Sequence, residues 1–227
     1  MGNTGRSLDT ESATSEGTIP FAVDGETFQT WFKVIGDLSN CTRRPLVVLH
    51  GGPGLSHDYM VALGDLAQVS IPVILYDQIG NGRSTRLTAK DVSFWQIDLF
   101  VDELVNLLAH LGVQDEFDVL GHSWGGILGL EFLLRRAPRG LKHLVLANSL
   151  ASMALWDTSE AQLVARFPQD VQEDLQMEKT DRVRFRAALD KFYAVHAVAV
   201  TPMPLEFTRS LDFQLGEDGD STVSTAM

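Results

Sequence analysis

Four short apolar runs, each stopped by glycine or turn residues, constrain this chain more than any other feature. Residues 45–50 halt at Gly51-Gly52-Pro53-Gly54, and residues 71–76 halt at Asp77 and Gly80-Asn81-Gly82. Residues 117–120 and 141–147 are the third and fourth. Runs this short and rich in Val, Ile and Leu suit strands buried on both faces of a parallel sheet. Between them, Phe94, Ile97, Val101, Leu104, Leu108 and Leu111 recur three and four apart on one helical stripe. Asp91 is expected to cap that helix and Gly112 to stop it. Residues 127–134 predict a second helix, closed by Pro138. Ahead of these, residues 21–23 and 28–35 flank Asp24-Gly25, a strong hairpin signal. Strand–helix alternation of this kind argues for an α/β fold, its mostly parallel sheet flanked by helices and joined by right-handed crossovers.

The pattern shifts after Asn148. Residues 161–167, 171–177 and 183–195 read as helices, with no strand-like run among them. The expected organisation is a flexible polar tail over 1–17, the N-terminal part of the core over 18–150, and a helical cap, or lid, over 151–227.

Composition narrows the function. With 30 acidic against 18 basic residues the net charge is −12, which argues against a nucleic-acid surface. One cysteine, Cys41, forms no intramolecular disulfide. No run approaches the ~18 apolar residues of a membrane span, and no apolar stretch follows the N-terminus as in a secretory signal. These features predict a cytoplasmic protein without a membrane partner. No metal or cofactor motif is present: the Gly-rich 51–54 segment lacks the Walker lysine, and Thr85 stands where a dinucleotide fingerprint needs its third glycine. The turn containing Gly80 reads either as a rim of the functional site or as a purely structural turn.

Gly121-His122-Ser123-Trp124-Gly125 fits the G-x-S-x-G nucleophile elbow, with a buried strand before it and an apolar helix after it. A serine there projects from a sharp turn near the positive end of the helix, where a developing oxyanion is favoured. His50-Gly51-Gly52-Pro53-Gly54 follows an earlier strand and is the expected partner loop. It would lend the Gly52 N–H (or that of Gly51) to an oxyanion hole completed by the Trp124 N–H, with His50 and Gly51 in the site loop.

Residues 50–54, Ser56-His57-Asp58-Tyr59, residues 77–84 and Gly121-His122-Ser123-Trp124-Gly125-Gly126 together resemble the proline iminopeptidase (prolyl aminopeptidase) family of α/β-hydrolase serine peptidases. The similarity runs from about Thr18 to the end of the chain. It implies an α/β-hydrolase fold and release of an N-terminal residue, often proline, from a small peptide or amino-acid amide. An amino-acid amidase or esterase of the same fold, and a non-catalytic fragment, are the alternatives.

A serine nucleophile needs a base and an acid to orient it, in this fold in the order Ser, Asp or Glu, His. After Ser123 only His143 and His196 remain. His143 begins a strand, roughly 13 Å from its C-terminal end, and His196 belongs to the lid pattern. Asp212, Asp218 and Asp220 fall in an acidic, turn-rich ending. His122 adjoins the serine but is expected to point elsewhere, and His110 to sit on the solvated side of its helix. The resemblance implies that the lid should lead into further core strands carrying the acid and base. In the segment 222–227, Ser224 stands where the family has tyrosine. The chain therefore reads as a C-terminally truncated hydrolase, expected to be inactive and to expose residues 144–146 along an unpaired edge.

Overall fold

The computed structural model describes residues 13–227. Strands β1 (Thr14–Val23) and β2 (Glu26–Ile35) form the expected hairpin, with Val23 opposite Glu26. Asp24 and Gly25 both take positive φ, 52° and 80°, as a two-residue type I′ turn requires. β1 begins inside the stretch read as a polar tail. Residues 14–17 pair with 32–35 of β2, so cross-strand pairing overrides their polar composition; residues 1–12 lie outside the described residues.

Four strands supply the parallel part: β3 (Leu46–Leu49), β4 (Val73–Asp77), β5 (Phe117–His122) and β6 (Leu141–Ala147). The spatial order is β1-β2-β4-β3-β5-β6, with β2 antiparallel to β4 and the last four strands mutually parallel. Chain direction across the sheet reverses at β3, because β4 lies on one side of it and β5 on the other. That is a topological switch point, and a crevice opens there beyond the carboxyl ends of the strands.

At β3 and β4 both faces are covered and every residue is buried, which explains their unbroken apolar runs; β6, expected to be buried in the same way, has no fully buried residue because it is the outermost described strand. Val47, Leu49, Ile74, Tyr76 and Val119 face α1 (Ile97–His110) and α2 (Trp124–Arg136), against Leu104, Leu108, Leu128 and Phe132. Leu46, Val48, Val73 and Leu75 face a 3-10 segment, His57–Val69, through Met60, Leu63 and Leu66. The helical boundaries differ from those expected. Phe94 belongs to a separate 3-10 turn, Val92–Phe94, and Asp91 makes no side-chain cap there; α1 starts after Gln96. Gly112 does follow its end at φ 68°. α2 begins at Trp124 rather than 127, because the glycines that dilute its apolar pattern are those the turn requires.

Five helices follow β6: α3 (Met153–Val164), α4 (Gln169–Asp174), α5 (Arg182–His196), α6 (Leu205–Leu215) and α7 (Thr222–Ala226). α3 starts well before residue 161, capped by the Ser152 hydroxyl. Asp212 is helical rather than in a turn-rich ending. α6 docks on the 57–69 segment, where Ser210 Oγ accepts from Ser56 N at 2.9 Å and donates to Ser56 O at 3.2 Å. The Arg83 guanidinium lies between the Trp31 and Phe213 rings, joining α6 to β2. On the far side of the sheet β6 has no outer neighbour among the described strands, and Val145 and Leu146 are each 46% exposed; Leu144 packs on the core. No helix among the described residues is long and apolar enough to cross a membrane.

Glu103 of α1 is fully buried beneath the turn after β4. Its carboxyl oxygens accept the Ile79 N–H at 2.9 Å and the Thr30 hydroxyl, tying α1, β2 and that turn together. Burial pushes its pKa up to about 8, against the hydrogen bonds that lower it. The folded state therefore holds a proton that the unfolded chain releases near 4.5, and stability falls as pH rises between those values. The expected result is an unfolding free energy, from urea titrations, that declines between pH 5 and 9 by about 3–5 kcal/mol at most, and a flatter profile in Glu103→Gln. Equal slopes for the two proteins would contradict this.

Candidate active site

Ser123 sits at the abrupt change from β5 to α2 with φ 53° and ψ −118°, outside the regions an L-residue favours. Such a backbone costs on the order of 1–3 kcal/mol and persists only where its surroundings enforce it. Here they do. A Cβ on Gly121 would lie 2.2 Å from Gly125 O, and one on Gly125 would lie 2.1 Å from Leu49 O. Strand and helix thus close to a distance only glycine allows. The Ser123 N–H donates to Ala147 O at 2.9 Å, while its carbonyl accepts from Gly126 N and Ser149 Oγ, each at 2.9 Å. The side chain is half-buried at the head of α2.

Leu49 pairs with Gly121, so the loop after β3 and the turn after β5 emerge side by side. A Cβ on Gly51 would meet Tyr59 Oη at 2.9 Å, His122 Nδ1 at 3.0 Å and Ser123 Cβ at 3.1 Å, so the loop touches the serine at this point. Gly52 takes φ +119°, and a Cβ there would strike Gly54 N at 2.5 Å. The Gly51 N–H is donated to Tyr59 Oη at 2.6 Å, which removes Gly51 as an oxyanion donor. The Gly52 and Trp124 N–H groups have no acceptor among the described residues. Gly80 lies beneath Val223 of α7 and the Trp95 ring, where a Cβ would meet them at 2.5 and 2.7 Å, as a packed turn.

His50 is fully buried and does not face the serine. Its Nε2 accepts from Gln78 N at 3.0 Å and its Nδ1 meets Gly51 O at 2.9 Å; burial lowers its pKa and keeps it neutral. Gln78 completes the frame. Its side chain donates to His50 O at 3.0 Å and accepts from Trp124 Nε1 at 2.9 Å, linking the ends of β3, β4 and α2. Gln78 lies inside the 77–84 motif, but no spacing in the sequence marks either of these contacts.

The other histidines are also engaged away from Ser123. His57 Nδ1 meets Asp77 Oδ1 at 2.8 Å and the ring stacks on Trp31 at 4.4 Å. This buried pair has the composition of an acid–base couple, but Trp31 and Asp77 belong to β2 and β4, on the side of β3 away from β5. Burial raises the Asp77 pKa, yet the His57 hydrogen bond and charge outweigh it and the carboxylate is held below its ordinary range. Arg83 grips Asp58 through both carboxylate oxygens, at 2.7 and 2.9 Å, and likewise holds it low against its burial. Breaking the buried His57–Asp77 pair by removing one partner costs about 3–5 kcal/mol, and the cluster fastens the 57–69 segment to the sheet. His143 lies at the opposite end of the strands with Asp118 at 2.9 Å, His196 packs on Phe167 and Phe192, and His110 is exposed. Among the described residues no histidine or carboxylate is hydrogen-bonded to the Ser123 side chain, and no group of three or more metal-ligating side chains converges.

An alpha/beta hydrolase fold family model matches residues 44–190. The proline iminopeptidase of Clostridium botulinum is 34% identical over 159 residues, covering 70% of this chain and 52% of that protein. That of Lactobacillus delbrueckii subsp. lactis is 36% identical over 180 residues, covering 77% and 60%. The chain thus spans about half to three fifths of the curated relatives it matches. Among solved structures, VinJ aligns with a TM-score of 0.81 at 41% identity, over 93% of this chain and 70% of that one. The proline iminopeptidase of Mycobacterium smegmatis aligns with a TM-score of 0.75 at 37% identity, over 92% and 69%.

Proposed function

Since the chain belongs to the proline iminopeptidase family of α/β hydrolases, we propose that it carries the nucleophile and oxyanion half of a serine aminopeptidase acting on a small peptide or amino-acid amide. Ser123 Oγ attacks the carbonyl of the substrate's N-terminal residue, often proline in the relatives' activity. The resulting oxyanion is met by the N–H groups of Gly52 and Trp124. The serine proton passes, through the histidine base the complete reaction requires, to the departing amine, and collapse leaves an acyl-serine for water to hydrolyse. The observation that carries this reading is the strained Ser123 turn, seated against a glycine loop whose Gly52 N–H, like that of Trp124, has no other acceptor. The complete reaction also needs a histidine and an orienting acid, which the described residues do not bring to the serine.

The test is a chimera that joins this chain to the C-terminal portion of the Mycobacterium smegmatis enzyme beyond the matched stretch. It should release arylamine from prolyl-arylamides, and Ser123→Ala should silence it. A folded chimera that turns over such substrates equally well without Ser123 would refute the reading. Turnover of simple esters alone would favour an esterase.

A further inference from the structure

Tyr59 stands where the loop after β3, the serine turn and α6 meet. Its Oη accepts the Gly51 N–H at 2.6 Å and lies 2.8 Å from His122 Nδ1, and its ring meets the His122 ring edge-on at 5.3 Å. Burial lowers the His122 pKa, so the ring is neutral, and burial raises that of Tyr59, so the phenol keeps its proton. With one lone pair of Oη taken by Gly51, the arrangement that satisfies every group has Tyr59 O–H donating to an unprotonated His122 Nδ1, with the His122 proton on Nε2. The hydroxyl is thus a two-way link between the residue before Gly52 and the residue before Ser123. Behind it, the Tyr59 ring packs edge-on against Phe207 of α6 at 5.9 Å, and Phe207 in turn touches Tyr193 of α5 at 5.7 Å.

We propose that Tyr59 is a positioning residue that sets the oxyanion loop against the nucleophile turn, with Phe207 of the lid as its backing. Gly51 and His122 flank the two groups whose separation decides whether an oxyanion fits. Glycine has no side chain to hold a backbone in place, so Gly52 depends on its neighbours for rigidity. Displacement of an N–H donor by a fraction of an ångström weakens what it gives a tetrahedral centre, because hydrogen bonds fall off steeply with distance and angle. The inference rests on Ser123 being the nucleophile, and the experiment separates the two claims.

The test uses the 227-residue chain and pyrrolidine-2-boronic acid, a trigonal boron acid that becomes tetrahedral when Ser123 Oγ bonds to boron and the serine proton leaves to buffer. In Tyr59→Phe the His122 Nδ1 resonance should move to the position of an unbonded imine nitrogen, and the Gly51 amide should exchange at least tenfold faster. The boronate Kd should rise about tenfold or more. His122→Phe, which leaves the hydroxyl nothing to donate to, should raise the Kd in the same direction if Tyr59→Phe does not fold. Altered NMR signals with a Kd within twofold of wild type would make the link merely structural and overturn the proposal. Unaltered signals would overturn it as well. Loss of capture in Ser123→Ala tests the nucleophile independently. Should the wild-type chain capture no boronate, the nucleophile reading fails and the functional role of Tyr59 falls with it.

Discussion

Prolyl-arylamides incubated with the 227-residue chain are expected to release arylamine on the order of a millionfold more slowly than with the chimera. Ser123 must attack as a neutral hydroxyl, since every described histidine is held elsewhere: His50 by Gln78 and Gly51, His57 by Asp77, His122 by Tyr59, His143 by Asp118. His196 packs on the Phe167 and Phe192 rings and His110 closes α1. In subtilisin, loss of the histidine alone costs about a millionfold in kcat. An oxyanion hole and binding leave ~10³-fold over water, which steady-state assays do not detect. Arylamine release by the short chain within about tenfold of the chimera would show that a base reaches Ser123. His196 would then be the first residue to replace.

The centre of the sheet was legible because β3 and β4 are covered on both faces, so the apolar runs and burial carry the same message. The elbow was legible because backbone strain needs glycine at fixed positions, and Gly121 and Gly125 are visible as letters. What was not legible is side-chain pairing across long separations. Gln78 meets Trp124 and His50, Glu103 meets Thr30 and Ile79, and Tyr59 meets His122. None of these pairs has a local spacing rule, because each forms where elements adjacent in space are distant in sequence. The same limit explains Gly51, whose sequence context suits an oxyanion donor until Tyr59 claims its N–H. Helices start earlier than their apolar stripes where a glycine or a cap sets the boundary, as at Trp124 and Ser152.

Boronate capture separates geometry from rate. Equilibrium formation of a tetrahedral serine–boron adduct needs the hydroxyl, the free space before it and the two N–H donors, but no base to speed it. A chain whose described histidines do not reach the serine can still show it. The strained turn at Ser123, the contact of Gly51 with it, and the unclaimed Gly52 and Trp124 N–H groups all predict such an adduct. The direct measurement is boron-11 NMR of the 227-residue chain with pyrrolidine-2-boronic acid, beside Ser123→Ala of equal thermal stability. A protein-bound tetrahedral boron signal in the first and its complete loss in the second is the predicted result. The same tetrahedral signal in both, or none in either, would contradict the assignment of Ser123 as the nucleophile of a pre-formed site.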